Sequence, residues 1–200
     1  MDALEAILTR RSTRKFRQEM PARRLIESVL EAGRSAPSGH NSQTTHFLVI
    51  SDPEILEELS LLVREAFSAM EPGPDTYISM RNAIAASKTG QLVFHYHAPV
   101  LIVAANRKGY GNAMADSACA LENMMIAANA LDLGSCWCNQ LHWLDENETV
   151  RTYLEKLGLE QTETVTGALA LGLPADGLPQ RTPLPRSGNP VTWVEARHPQ

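Results

Sequence analysis

Apolar residues recur along the chain with two spacings, which predict the strands and the helices. Three short, continuously apolar runs are typical of buried strands: HFLVI at 46–50, APVLIVAA at 98–105 and VTGALALG at 165–172. SCWCN at 135–139 is a fourth strand candidate. Apolar positions three and four residues apart predict helices in five regions: Leu4 to Leu8, Pro21 to about Gly33, Pro53 to about Met70, Asn112 to Leu133 and Asp145 to about Leu157.

The ends and faces of these helices carry further signals. Pro21 suits a first helical turn, where its missing N–H needs no partner. Asp145-Glu146-Asn147-Glu148 resembles a capping box that opens the last helix. The segment from Asn112 to Leu133 is apolar nearly all round, which predicts a helix that runs through the core. Residues 77–97 have no clear period, and a helix that covers a ligand is one interpretation.

Strands and helices follow one another without an internal repeat or a linker. The prediction is an α+β fold over residues 1–200, a single domain with a mixed central sheet flanked by helices. Residues 174–200 are rich in proline and have no period, yet they include the apolar VTWV. We interpret them as an extended C-terminal arm that lies on another surface, such as a partner subunit.

Composition narrows the possible functions. The chain has 200 residues, with 18 Lys+Arg against 23 Asp+Glu and a formal net charge of −5. A net acidic chain argues against broad nucleic-acid binding. No apolar run approaches the roughly 20 residues that span a bilayer, and the N-terminus lacks the pattern of a secretory signal. Three cysteines make a poor disulfide framework, so we predict a cytoplasmic protein that binds neither nucleic acid nor membrane.

A local concentration of positive charge contrasts with this acidity. TRRSTRKF, at residues 9–16, holds Ser12 among four basic residues: Arg10, Arg11, Arg14 and Lys15. Guanidinium groups bind phosphate oxygens in a bidentate manner, and a seryl hydroxyl can donate or accept beside them. The segment is therefore a candidate phosphate and polyol site. A solvated basic turn after a helix is the alternative, and the segment alone favours it.

A second polar segment is SAPSGHNSQ, at residues 35–43. Pro37 and Gly39 preset its backbone and allow a ligand to approach closely. Asn41 and Gln43 carry amides that donate and accept together, as the edge of a heterocycle with carbonyl and ring N–H groups requires. An ordinary loop between a helix and a strand is again the alternative.

Taken together, these segments resemble the nitroreductase family of FMN-dependent oxidoreductases. MDALEAILTRRSTRKF followed by APSGHNSQ carries the first part of the resemblance. DSACALENMMIAANALDLGSCWC resembles the family's buried central helix and the turn after it. GALALGLP resembles its last core strand, and QRTPLP its basic C-terminal segment. Four matches in the same order are far more specific than any one of them.

The resemblance implies roles for three sets of residues and a single arginine. The first set would contact the ribityl chain, the phosphate and the pyrimidine edge of FMN: Arg10, Arg11, Ser12 and Arg14. The second would reach the same FMN from the other protomer, since the family binds flavin at a dimer interface: Pro37, Ser38, Asn41 and Gln43. The third falls where the family's backbone crosses the flavin ring: Trp137, Cys138 and Asn139. Arg181 would be a further phosphate ligand.

The implied function is that of a homodimeric oxidoreductase. It would take hydride from NADH or NADPH and pass it, in a ping-pong sequence, to a small-molecule acceptor such as a nitroaromatic or a quinone. The cofactor supplies the reacting atoms, so no catalytic side chain is predicted. A specialised flavoenzyme of the same superfamily (a dehalogenase, an enone reductase or a flavin-modifying enzyme) and a flavin-binding protein without turnover are the alternatives.

Two other groups of residues are candidate metal or redox sites. Cys136 and Cys138 share one face of a strand and have His142 nearby, but structural zinc needs four ligands and no second pair stands at ligand spacing. Packing as small apolar groups is the favoured interpretation. His95 and His97 lack nearby partners of a metal-ligand type, which favours surface or strand-end histidines. No metal is predicted.

Overall fold

The computed structural model describes residues 1–175, 177 and 182–194. Within them the chain forms helices and strands in the following order: α1 (Ala3–Thr9), α2 (Arg23–Arg34), a 3₁₀ turn (Gly39–Asn41), β1 (His46–Ile50), α3 (Pro53–Ser68), α4 (Ile78–Lys88), β2 (Val100–Arg107), α5 (Ala113–Ala130), β3 (Gly134–Cys138), α6 (Gln140–Trp143), α7 (Glu148–Lys156) and β4 (Glu163–Gly172). All four predicted strands and all five predicted helices are present. No helix in this part of the chain has the length and apolarity to cross a membrane.

The four strands form one sheet in the order β1-β2-β4-β3. Each neighbouring pair is antiparallel. The prediction of a mixed sheet was wrong for the described strands, which pair only in the antiparallel sense. The parallel contact is an isolated bridge between Ser12 and Ser135, where the N-terminal segment runs beside β3. Strands β1 and β3 are therefore the two edge strands of this sheet, and β3 is partly covered by the segment that contains Ser12.

The sheet is covered on both faces, as the continuous apolar runs predicted. Alternate residues of β2 point to opposite sides. Val100, Ile102 and Ala104 pack with α2 and α5. Leu101, Val103 and Ala105 pack with α3, α4, α6 and α7 in the larger core. Because both sets of side chains are buried, residues 100–105 of β2 form an apolar stretch at the centre of a helix–sheet–helix arrangement, and the polar Asn106 and Arg107 end the strand.

Helix α5 lies on one face of the sheet and does not run through the core as predicted. Leu121 and Met124 are fully buried against β2 and β4. The opposite side is open, since Met114 is 43% exposed and Cys119 is also exposed. The prediction was wrong because alanine and methionine, although apolar, do not require burial. An apolar helix can therefore leave one side uncovered.

Two of the helix starts differ from their sequence signals. Helix α2 begins at Arg23, so Pro21 precedes the helix and is not in its first turn. Helix α7 is capped by Asn147, whose side chain accepts a hydrogen bond from the Val150 N–H at 3.1 Å. Asp145 does not cap that helix; its carboxylate instead binds Arg151 and β4. A carboxylate near the start of a helix can thus bond to a neighbouring element and leave the helix to be capped by another residue.

His95 is buried, contrary to the expectation of a surface or strand-end histidine. Its exposed fraction is 4%, and neither ring nitrogen has a hydrogen-bond partner among the described residues. Burial lowers the pKa of His95 to about 4, helped by the nearby His97 and opposed by the Ala98 backbone and Glu57. Burial wins because an imidazolium in this apolar setting would lose its hydration.

The lowered pKa of His95 predicts a loss of stability in acid. Between pH 6.5 and about 4 the unfolded chain binds the proton and the folded chain does not. The free energy of unfolding should therefore fall with decreasing pH by up to about 1.4 kcal/mol per unit. Urea denaturation from pH 4 to 7 would measure the slope, which the His95→Leu variant should lose. The exposed His97→Leu is the control, and an unchanged slope in His95→Leu would contradict the prediction.

Candidate functional site

The arginine turn, residues 9–16, is fixed along the outer side of β3. The Thr13 N–H donates to the Ser135 carbonyl at 2.8 Å, next to the bridge formed by Ser12. At the end of α1, the Asn129 side-chain amide donates to Thr9 Oγ1 at 3.0 Å. This segment is therefore held by backbone and side-chain bonds from β3 and α5. It is an anchored part of the fold, unlike a solvated basic turn.

Two arginines of this turn have little compensating negative charge. Arg10 Nε lies 3.7 Å from Glu122 Oε1, a long contact with a half-exposed carboxylate. The Arg11 guanidinium donates to the backbone carbonyls of Thr9, Arg10 and Thr182, and it has no carboxylate partner in the part of the chain described here. Exposed ion pairs contribute little, so both cations remain able to bind an anion.

Arg14 is positioned by Tyr96, a residue that no sequence pattern had indicated. Its guanidinium lies over the Tyr96 ring, 5.8 Å from the centroid, at cation–π distance. Hydrogen bonding to Tyr96, and then the charge of nearby Cys136, raise the pKa of Arg14 further above its ordinary value. Tyr96 itself has a left-handed backbone, with φ of 56°. That conformation is costly for an aromatic residue and is maintained by the surrounding structure.

Cys136 and Cys138 share one face of β3, as predicted, and both are buried. A hydrogen bond from Cys138, together with Arg14 and Ser12, lowers the pKa of Cys136 to about 7 against the opposing effect of burial. The pKa of Cys138 is raised by the same hydrogen bond and by burial. No group of three potential metal ligands occurs among the described residues. The pair packs in the core and adds a polarisable sulfur beside the arginine turn.

The tryptophan turn, residues 137–139, consists of the last two residues of β3 and the Asn139 that follows them. Trp137 Nε1–H donates to Asn139 Oδ1 at 2.6 Å, so the two side chains fix one another. Asn139 immediately precedes α6, and Cys138 is 2% exposed. Since Trp137 is two residues after Ser135, the arginine turn and the tryptophan turn share one edge of the sheet.

The amide loop, residues 35–43, is anchored by a buried carboxylate on α5. Asp116 is 7% exposed and accepts the Gly39 N–H at 3.0 Å and the Tyr110 hydroxyl at 2.9 Å. Ser42 Oγ also approaches both Tyr110 and Asp116. Sequence reasoning missed this anchor, although an acidic residue in the first turn of a largely apolar helix was a signal for it.

The amide loop has an unusual backbone conformation at three residues that are not glycine. His40, Asn41 and Gln43 all have left-handed backbones, with φ of 53°, 55° and 50°. A Cβ on Gly39 would lie 2.2 Å from the Asn112 side-chain amide, so a larger residue there would have to displace that side chain. The Gln43 N–H donates to Ser38 Oγ at 3.1 Å, which closes the loop. This strained, anchored loop leaves the Asn41 and Gln43 side chains exposed.

One chain does not bring the predicted residues into a single site. The arginine and tryptophan turns lie at the β3 edge, whereas the amide loop leads into β1 at the opposite edge. Three strand spacings of about 4.8 Å separate these edges by about 14 Å. The loop's own cavity, about 250 Å³ and lined by Pro37, Ser38 and Asp116, contains no residue of the arginine turn. Arg181 lies outside the described residues.

The known proteins to which this chain is similar include several that are named as nitroreductases. The chain is 29% identical over 178 residues to a putative NADH dehydrogenase/NAD(P)H nitroreductase of Archaeoglobus fulgidus, covering 88% of this chain and 87% of that protein. It is 28% identical to a putative NAD(P)H nitroreductase of Escherichia coli K12, with 87% and 89% coverage. A nitroreductase of Bacteroides fragilis, solved with bound FMN, superimposes with a TM-score of 0.85 at 34% identity, covering 98% of this chain and 100% of that one. The nitroreductase family profile matches residues 7–173, and this chain therefore belongs to the nitroreductase family.

Proposed function

We propose that this protein is an FMN-dependent oxidoreductase that uses NADH or NADPH to reduce nitroaromatic, quinone or similar electrophilic acceptors. The observation that carries the proposal is the anchored arginine turn, whose cations have little negative charge around them in the described chain. It is supported by membership of the family and by the FMN bound to the B. fragilis nitroreductase, to which this chain is similar.

The donor set of the arginine turn fits a phosphate-bearing cofactor. Arg10 and Arg11 offer forked, permanently charged donors that match phosphate oxygens. Ser12 adds a hydroxyl, and Arg14 supplies charge beside them. The Trp137–Asn139 turn, at the same edge, provides backbone and an indole ring at which a flavin ring would lie. Arg181 remains a proposed further phosphate ligand.

Completion of the site requires a second chain, and we propose a homodimer. The amide loop is at the opposite edge from the arginine turn, so Pro37, Ser38, Asn41 and Gln43 would reach the flavin held by a partner. Helix α1 supports association, because Leu4, Ile7 and Leu8 are 71%, 49% and 55% exposed. Such an apolar surface is typical of an interface.

The C-terminal segment supports the same arrangement. In the described stretch 182–194 the chain forms neither helix nor strand, and Val191, Trp193 and Val194 are 76%, 81% and 94% exposed. We propose that residues 174–200 are an arm of the single domain that packs on the partner subunit. Three free cysteines, with Cys119 exposed, suit the reducing environment of the cytoplasm, which we propose as the location.

When bound, FMN would accept hydride from NADH or NADPH and deliver it to the acceptor. The residues of this chain would bind the flavin, orient its ring and stabilise the charge that forms on it. Arginine cations near the ring would stabilise the negative charge that develops on reduction. The Trp137–Asn139 hydrogen bond would hold the backbone beside the ring in a single conformation. No side-chain acid or base is assigned to the reaction.

Direct observation of the cofactor tests the proposed activity. Protein supplied with FMN and freed of unbound flavin should be yellow, and NADH or NADPH should bleach it in the absence of oxygen. Rates with a panel of nitroaromatics, quinones, halogenated aromatics and enones would then identify the acceptor class. A protein that stays colourless contradicts flavin binding, and a yellow protein that neither nucleotide bleaches contradicts the oxidoreductase assignment.

Replacement of Arg10 tests the cofactor site specifically. Arg10→Ala should weaken FMN binding by about 1.5–3 kcal/mol, the contribution of a hydrogen bond to a charged group. Flavin fluorescence titration would measure this as roughly a 10- to 150-fold rise in Kd. The matched control is Arg23→Ala, which removes an exposed arginine of α2 paired with Glu27. If Arg10→Ala and the wild type bind FMN with equal affinity, Arg10 does not belong to the cofactor site.

A further inference from the structure

Asn139, the last residue of the tryptophan turn, has a side-chain amide with only one chemically possible orientation. The Trp137 indole donates from Nε1 to Asn139 Oδ1 at 2.6 Å. An indole N–H can only donate, so the amide must turn its oxygen toward the indole and its nitrogen, Nδ2, away from it. The hydrogen bond from Trp137 therefore fixes which way the two N–H donors of Asn139 point.

These two N–H donors are left without a partner. No residue of the described chain accepts a hydrogen bond from Asn139 Nδ2. Asn139 is half-buried, and its Nδ2 is not one of the unpaired polar atoms that this part of the chain closes off from solvent. A ligand can therefore reach it. Gln140 differs in this respect, because its unpaired Oε1 is buried.

The Asn139 amide and Arg14 serve different sides of β3. Arg14 lies near Cys136, which belongs to the core on the side of α3 and α7. Trp137, the next residue of the strand, points to the opposite face and packs on the side of α5. Because the amide is bonded to Trp137, it offers donors on the side that Arg14 does not cover.

Fixed, uncharged N–H donors suit an oxygen that becomes negative during a reaction. Reduction of a nitro group to a nitroso group adds one hydride and, from solvent, one proton. One N–O bond breaks, and that oxygen leaves as water. Negative charge builds on the nitro oxygens as the hydride arrives, and donors that are already oriented stabilise such charge without reorganisation.

We propose that Asn139 is a catalytic residue that binds the oxygen of the electron acceptor and stabilises the negative charge that forms there. This inference rests on the proposed function, in which a flavin ring lies at the tryptophan turn. Trp137 is a positioning residue, because its N–H decides that Asn139 presents donors. The acceptors selected are those whose reducible group carries oxygen, such as nitroaromatics and quinones, and halogenated aromatics without such an oxygen are disfavoured.

Reoxidation of the flavin-loaded protein, reduced beforehand and kept free of oxygen, tests the role of Asn139. Asn139→Ala should slow reoxidation by nitrobenzene by at least about 10-fold. Hexacyanoferrate(III), which takes single electrons and has no oxygen, should reoxidise the variant and the wild type equally fast. Gln161→Ala is the matched control, since it removes an exposed amide between α7 and β4. It should behave as the wild type, and FMN affinity should be the same in all three proteins.

Binding without turnover gives a second readout. With oxidised flavin and neither NADH nor NADPH present, nitrobenzene should move the NMR signal of the Asn139 side-chain NH₂ to lower field, as hydrogen bonding does. Toluene, which lacks the oxygens, should not. Trp137→Phe should slow reoxidation by nitrobenzene. Its combination with Asn139→Ala should be no slower than Asn139→Ala alone, because the indole acts through the amide.

The outcomes distinguish failure of this inference from failure of the proposed function. A protein that binds no FMN overturns both. If NADH or NADPH bleaches the protein, but nitrobenzene reoxidises Asn139→Ala as fast as the wild type, the inference alone is overturned. Equal slowing with nitrobenzene and hexacyanoferrate(III), or weaker FMN binding by Asn139→Ala, would assign the amide to the flavin and also overturn it. If Asn139→Ala fails to fold, the NMR comparison of nitrobenzene with toluene in the wild type still decides.

Discussion

Asp145→Ala is expected to lower the free energy of unfolding by about 3–5 kcal/mol. It removes three hydrogen bonds to a charged group, each contributing about 1.5–3 kcal/mol, and the pairing of Arg151 with Glu155 that remains offsets part of the loss. The Asp145 carboxylate is 8% exposed and accepts from Arg151 Nη1 at 3.0 Å. It also accepts from Thr164 Oγ1 at 2.6 Å and from the Val165 N–H at 2.9 Å. Its removal leaves three donors unpaired at the junction between α7 and β4.

Urea denaturation of Asp145→Ala beside Glu146→Ala would measure this effect. Glu146 is the next residue along the chain and is exposed, so its replacement should change stability by less than about 0.5 kcal/mol. A double-mutant cycle with Arg151→Ala should show strong coupling, because Arg151 is only 12% exposed and loses its buried partner. A destabilisation below 1 kcal/mol for Asp145→Ala would contradict the prediction that this hydrogen-bond network holds α7 to β4.

Asp116→Ala is expected to have the second-largest effect, a loss of about 2–4 kcal/mol in stability. The carboxylate accepts from the Gly39 N–H and from the Tyr110 hydroxyl, and hydrogen bonds to charged groups contribute about 1.5–3 kcal/mol each. The loss also removes the anchor that maintains the left-handed residues of the amide loop. If that loop contacts flavin across a dimer, FMN binding should weaken together with stability.

Tyr110→Phe is the matched variant for this prediction. It removes one hydroxyl and leaves the bond between Asp116 and Gly39, so it should cost about 1 kcal/mol and leave FMN affinity nearly unchanged. Chemical denaturation and flavin titration on both variants would separate the two effects. Asp116→Ala protein that is destabilised but binds FMN like the wild type would contradict a role for the amide loop in the cofactor site.

The elements of secondary structure were predictable because local patterns determine them. β1 is HFLVI as predicted, and β2 and β4 were recognisable as uninterrupted apolar runs buried on both faces. The sequence predicted a helix from Pro53, and α3 begins at that residue. Helix boundaries were less certain, as Pro21 and Asp145 illustrate, since a cap depends on which nearby polar group the fold directs to the helix end.

The candidate site was predictable only in parts. The arginine turn, the amide loop and the tryptophan turn were recognisable from resemblance to a family whose motifs occur here in order. Tyr96 and Asp116, which position Arg14 and Gly39, were not recognised, because their partners lie 82 and 77 positions away in the chain. No local pattern carries information about contacts over such distances.

The sequence by itself determined the order of strands and helices, the acidic net charge and the family to which the chain belongs. Only the tertiary structure decided that the arginine turn borders β3 while the amide loop leads into β1, at opposite edges of one sheet. It also decided that His95 is buried, with no hydrogen-bond partner for its ring nitrogens among the residues that the structure describes. Spacing along the chain specifies which side chains share a face of an element. Which faces meet depends on how the sheet orders its strands, and that order comes from burying all the apolar faces at once.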